Sequence, residues 1–166
     1  MGHTSSFLRG EDEKVAIAYM HEAARMAKQA LCTRASCGSV VVKNKIIIGR
    51  GFNAPPENNI ERGMCEEKRT PGKPGYDSTC CMHAEWRALI DALKHHEDKL
   101  SGAKLFFVRV DDAGEIKKSG DPYCTVCSRF ALDLGLKSFL LWHEKGIKEY
   151  STEEYNFLSY NYKGAH

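Results

Sequence analysis

The chain has 166 residues, a net charge of +2 and seven cysteines. That length suits one domain with a buried core, and so mild a charge neither announces nucleic acid nor rules it out. No stretch approaches the ~20 apolar residues of a membrane span, residues 1–10 lack a signal peptide's apolar core, and the odd cysteine count reads as reduced thiols of a cytoplasmic protein.

Residues 1–11 read as a flexible leader and residues 12–166 as a single domain. The first helix is predicted from Asp12 to Leu31, with Val15, Tyr19, Ala23, Met26, Ala27 and Ala30 recurring at helical spacing. Ser39-Val40-Val41-Val42 and Ile46-Ile47-Ile48 are rich in β-branched residues and read as strands joined by a tight turn at Asn44-Lys45. Their unbroken apolar runs imply a sheet covered on both faces. Gly49 to Pro56 is expected to stop the second strand and shape a loop; within it, Asn53 suits an Asx turn. Residues 57–79 are polar and punctuated by Pro and Gly, as in a long irregular insert.

A helix is expected to open at His83 and to run on through Ala84, Ala88, Leu89, Ala92 and Leu93. Arg87 on it either meets a substrate phosphate or sits in an ion pair, while His95 and His96 suit a solvated helix end. Leu105 to Val110 reads as a third strand, Asp111 to Glu115 as a turn, and Ile116 as the start of a short return strand. Cys124 to Leu134 reads as a helix stopped by Gly135, and Ser138 to Trp142 as a fourth strand parallel to the third through a right-handed crossover. Ser151-Thr152-Glu153-Glu154 is a capping box opening a last helix. The elements sum to a three-layer α/β/α sandwich around a mixed sheet.

Two stretches carry chemistry: Cys81-Met82-His83-Ala84-Glu85-Trp86, and Asp121-Pro122-Tyr123-Cys124-Thr125-Val126-Cys127. Together they offer an imidazole, two closely spaced thiols and a carboxylate. His83, Cys124 and Cys127 suit zinc: three protein ligands leave a fourth position for water, whose pKa then falls to ~7. Cys124 and Cys127, three apart, share one face of a helical turn. Glu85 lies two residues beyond His83, about 200° round a regular helix, so it suits a proton shuttle better than a fourth ligand.

His83-Ala84-Glu85 followed by Cys-x-x-Cys resembles the signature of zinc deaminases, and the chain resembles the cytidine/deoxycytidylate deaminase superfamily over roughly residues 12 to 145. The resemblance implies a cytidine-deaminase-like fold and one catalytic Zn2+ on His83, Cys124 and Cys127, with Glu85 moving protons. It also implies substrate contacts at Asn53, in a Gly-aromatic-Asn motif, and at Ala84. One departure stands out: the family places Pro directly before the first Cys, whereas Tyr123 here separates Pro122 from Cys124, altering the loop over the base. Some members carry a second, structural zinc, toward which Cys65, Cys80 and Cys81 are candidates without an assigned ligand set. Relatives commonly self-associate, so a homo-oligomer is expected.

The expected reaction is hydrolytic deamination of a free cytosine-type nucleotide or nucleoside, deoxycytidylate-like, with release of ammonia. Deamination of a base in tRNA or single-stranded nucleic acid, or of guanine or another purine, is the alternative within the same chemistry. A non-catalytic structural zinc, with Cys81 as a fourth ligand, is the alternative of another class. A redox role for Cys124-x-x-Cys127 leaves His83 and Glu85 without a task.

Overall fold

The turn at Asn44-Lys45 forms as expected. In the computed structural model, which describes residues 5–63, 81–118 and 120–163, β2 (Ser36–Lys43) and β3 (Ile46–Phe52) pair antiparallel across it. Asn44 and Lys45 both take left-handed backbone, φ 50° and 64°, which a two-residue hairpin turn of this hand requires. Around the hairpin a seven-stranded mixed sheet is completed by β1 (Ser6–Phe7), β4 (Lys104–Val110), β5 (Ile116–Lys117), β6 (Ser138–His143) and β7 (Gly146–Ser151). The order is β1-β7-β6-β4-β2-β3, with β5 paired to the end of β4. β4 and β6 are parallel, joined through α3 (Thr125–Asp133), as the crossover predicts.

Helices cover both faces. α1 (Gly10–Ala27) packs Ala16, Met20, Ala23 and Ala27 against Val40, Phe106, Val108 and Leu140. On the opposite face α2 (Ala84–His96), α3 and α4 (Thr152–Tyr160) bury Ala88, Leu89, Ala131 and Tyr155 against Val41, Leu105, Phe107 and Phe139. This is the expected three-layer sandwich. No helix among the described residues is long and apolar enough to cross a membrane.

Four details differ from expectation. The stretch read as a leader holds a strand, Ser6–Phe7, on the β7 edge, and α1 starts at Gly10. α1 ends at Ala27 rather than Leu31, and its buried stripe passes through Ala16 and Met20, leaving Val15 and Tyr19 half-buried. β7, half polar and short, was not legible as a strand. β3 runs through Gly49 and Gly51 instead of stopping there. A Cβ on Gly49 would lie 2.2 Å from the Ala88 carbonyl oxygen, and one on Gly51 2.3 Å from that of Ala84. These glycines therefore let α2 lie directly on the strand, which fixes the height of the residues at the start of α2.

Candidate active site

Both chemical motifs sit at helix starts on one side of the sheet. His83 is the N-cap of α2, in extended backbone (φ −67°, ψ 149°), so the helix begins after it. The segment before it is tied down by Met82 N–H donating to the Ala54 carbonyl at 2.8 Å, and the imidazole stacks on Trp86 at 4.2 Å between ring centroids. Cys124 is the N-cap of α3, and its sulfur accepts from the Cys127 backbone N–H at 3.4 Å. Tyr155 of α4 reaches the same turn, its hydroxyl hydrogen-bonded to the Cys124 backbone.

The structure brings His83, Cys124 and Cys127 together. His83 Nδ1 is 3.3 Å from Cys127 Sγ and 3.5 Å from Cys124 Sγ, and the sulfurs are 2.8 Å apart. This imidazole-dithiol trio, with all ligand atoms within 4.8 Å of one another, has the donor set of a zinc site that leaves a coordination position open. The hydrogen bond from Cys127, together with that from His83, pulls Cys124 down to about 5 against the cost of burial. Burial and the neighbouring Cys124 push Cys127 well up. One sulfur is thus already a thiolate and the other keeps its proton, to be released when a metal binds. Two helix N-termini converge on this negative charge, which their dipoles favour.

Glu85 stands beside the trio, 2 % exposed. Burial raises its carboxyl to about 7, with the Cys124 thiolate adding to the rise and His83 opposing it. A carboxyl poised near neutrality can both take and give a proton. His83, Ala84 and Glu85 form one wall of a pocket of about 200 Å³, and Cys37, Asn53, Arg34, Arg109 and Tyr123 line the remainder with Cys32 and Cys81.

Asn53 enters this wall differently from an Asx turn. Its Oδ1 accepts from Cys37 N–H at 2.9 Å and its Nδ2 donates to the Ala35 carbonyl at 2.7 Å, so it fastens the start of β2 beside the pocket. Among the described residues Arg87 forms no ion pair: it donates to Asn58 Oδ1 and to the Pro55 carbonyl, at 2.6 and 2.9 Å, and lies over Phe52. It braces the turn after Asn53. Tyr123 is 38 % exposed, yet its hydroxyl is turned inward, where burial and the nearness of Glu85 push it well above the usual phenol range. Its ring meets Phe107 and Tyr162, so the residue inserted before Cys124 becomes a pocket wall held by the segment that follows α4.

Cys81 stands outside the trio. Its thiol is hydrogen-bonded with Cys32, so among the described residues the trio gains no fourth protein ligand from it. Cys65 and Cys80, the other candidates for a second metal, lie outside the described residues. Cys32, Cys37, Arg34, Arg109 and Tyr155 were not singled out from the sequence. Arg109 sits in a strand pattern, and only the sheet register brings it beside the pocket.

Comparison with known proteins agrees with this geometry. A family model described as the cytidine and deoxycytidylate deaminase zinc-binding region matches residues 13–142. A deoxycytidylate deaminase of Schizosaccharomyces pombe is 31% identical over 78 residues, covering 45% of this chain and 24% of that protein, so the chain matches only a minor part of that relative's length. The dCMP deaminase of cyanophage S-TIM5 superposes in its apo form with a TM-score of 0.52 at 24% identity, over 76% of this chain and 80% of that one. Its complex with dCMP and dUMP gives 0.53 at 25% identity, over 80% and 82%.

Proposed function

This chain belongs to the cytidine and deoxycytidylate deaminase family, and from that premise we propose that it removes the exocyclic amine of a free cytosine-type nucleotide, deoxycytidylate-like, by hydrolysis. The observation that carries the reading is Glu85, a buried carboxyl raised to about 7 beside an imidazole-dithiol trio and facing a pocket. A structural site has no use for such a group, whereas a hydrolytic one needs a proton carrier there. The nucleotide is supported by the relatives: one is a deoxycytidylate deaminase, and the cyanophage enzyme has been crystallised with dCMP and dUMP.

His83, Cys124 and Cys127 are the residues to hold zinc, which supplies a Lewis acid that makes water a nucleophile at neutral pH. The chain's own groups do the following. The Glu85 carboxylate takes a proton from the attacking water and passes it to the ring nitrogen next to the amine-bearing carbon as the new C–O bond forms. A second proton passes through the same carboxylate to the amine as the C–N bond breaks. One water enters and one ammonia leaves. Asn53 keeps an N–H and a lone pair beyond the two bonds it spends on β2, available to the sugar, and the Ala84 backbone lies along the base. The same reading carries with it a homo-oligomer in the cytoplasm.

The test is ammonia release by the zinc-loaded protein across cytosine, deoxycytidine, dCMP, adenine, guanine and their nucleosides. Glu85→Gln should keep its zinc and lose about 10²–10⁴-fold in kcat. Unchanged turnover in that variant, or zinc lost along with activity, contradicts the assignment of Glu85.

A further inference from the structure

Side chains along β4 alternate between the two faces of the sheet. Phe106, Val108 and Val110 pack in the core under α1, and Leu105 and Phe107 in the core on the α2 side. Arg109 continues the Leu105–Phe107 row by one step, to where the row leaves the apolar core and lines the pocket. Across the ladder it stands opposite Cys37, whose thiol its guanidinium contacts by a hydrogen bond. That partner supplies no counter-charge: burial raises Cys37 to about 11, leaving it neutral at pH 7. Among the described residues, Arg109 forms no ion pair with a carboxylate. A guanidinium carries five donors, more than one sulfur can take, and Arg109 lines the pocket. Arg34 lines the same pocket, so two guanidinium groups stand on its walls and make it attractive to an anion.

We propose that Arg109 binds the phosphate monoester of the substrate and makes the pocket select nucleoside monophosphates over nucleosides. The inference rests on the deaminase reading above for the identity of the base. The planar fork of Arg matches phosphate oxygens two at a time, and its position on a strand inside the sheet, with Cys37 beside it, limits how far the fork can move.

The test uses the zinc-loaded protein and its Arg109→Ala and Arg109→Lys variants. Deamination of dCMP is compared with that of deoxycytidine, and binding of inorganic phosphate is measured by calorimetry. Arg109→Ala should lower the ratio of kcat/KM for dCMP to that for deoxycytidine by about 10–100-fold, mainly through KM, as loss of a charge-assisted contact does. Phosphate affinity should fall by at least about 10-fold. Arg109→Lys, which keeps the charge and loses the fork, should lie between; this intermediate behaviour separates a lost contact from a misfolded alanine variant. If both substrates fall equally in Arg109→Ala, the deaminase reading stands and the phosphate assignment is overturned. If the wild type deaminates neither compound, that reading fails, and the phosphate titration alone decides: weaker binding in Arg109→Ala upholds the anion subsite, and equal binding overturns it. Preferential turnover of a short oligodeoxycytidylate, whose internal phosphates are diesters, overturns the assignment to a monoester.

Discussion

Asn53 offers two donors and two acceptor positions on its amide and spends one of each inside the fold, on Cys37 N–H and the Ala35 carbonyl. Both partners belong to the approach to β2, and the residue itself is 7 % exposed. Asn53→Ala therefore leaves a buried N–H and a carbonyl without partners. The expected cost is about 1–3 kcal/mol for each group left unsatisfied, read as a lower denaturation midpoint in urea, with a loss of kcat/KM as the pocket wall shifts. Asn53→Asp keeps the acceptor but sets a carboxylate oxygen against the Ala35 carbonyl, so it too should lower the midpoint. Equal midpoints for wild type and Asn53→Ala would show that these bonds do not hold the wall. At this scale the candidate zinc ligands and Glu85 were legible in the motifs, and Asn53 through the family resemblance, whereas Cys32, Arg34, Cys37 and Arg109 of the pocket were not. His83, Cys124 and Cys127 are rare side chains at short spacings within two local turns, so local sequence suffices to place them. Arg109 faces Cys37 from 72 residues away only because β2 and β4 pair in one register, and Tyr155 meets Cys124 only because α4 folds back over α3. Such placements are products of the sheet, not of neighbouring residues.

Among the elements, the contact of β3 with α2 does most to place the site. Glycine in a strand pattern reads equally as a stop or as a place where another backbone comes close, and here the second holds. The Ala84 carbonyl lies against Gly51, one residue from both His83 and Glu85. Gly51→Ala must push α2 off the strand at that point. Overpacking of this kind costs about 1–3 kcal/mol, and since the displaced residues are those of the site, activity should fall by more than the change in stability accounts for. A Gly51→Ala variant with wild-type kcat would show that α2 is not positioned by this contact. The other edge of the sheet is held by charge. Glu149 on β7 accepts from Ser138 Oγ at 2.6 Å and pairs with Lys104 Nζ at 3.0 Å, linking β7 to β6 and β4. Burial alone would raise its carboxyl, but these two partners outweigh it and hold it below the usual 4.5. A folded-state value below the unfolded one contributes stability above about pH 4.5, and that contribution is lost as pH falls through the folded value. The thermal midpoints of wild type and Glu149→Gln should thus differ most near neutrality and converge toward pH 3. A gap that widens on acidification would contradict this sign.

For the whole molecule, a metal at His83, Cys124 and Cys127 joins two segments 41 residues apart, at the first turns of α2 and α3. Among the described residues, His83 Nδ1 meets both sulfurs across these turns, and the Glu85 carboxyl is hydrogen-bonded to Cys127. A metal held there would add a clamp between the two helix starts as well as a source of chemistry. A ligand held at about 1,000 times its dissociation constant stabilises the folded state by about 4 kcal/mol, which for a domain of this size corresponds to a thermal midpoint shift on the order of 10 °C. Removing zinc with a chelator should lower the midpoint by that order and should raise amide hydrogen exchange first in residues 84–88 and 125–129. Exchange in α1, on the far side of the sheet from the clamp, should change little. Because Cys127 must give up its proton to bind metal, zinc should also be lost more readily as pH falls. Cys127→Ser reports the same clamp without a chelator: it should release one equivalent of zinc and reproduce the local rise in exchange at neutral pH. If chelation abolished activity yet left the midpoint and the exchange of both helix starts unchanged, the trio would be a site preformed by packing alone, and the stability of the two helix starts would have to be sought in Tyr155 and the Gly51 contact instead.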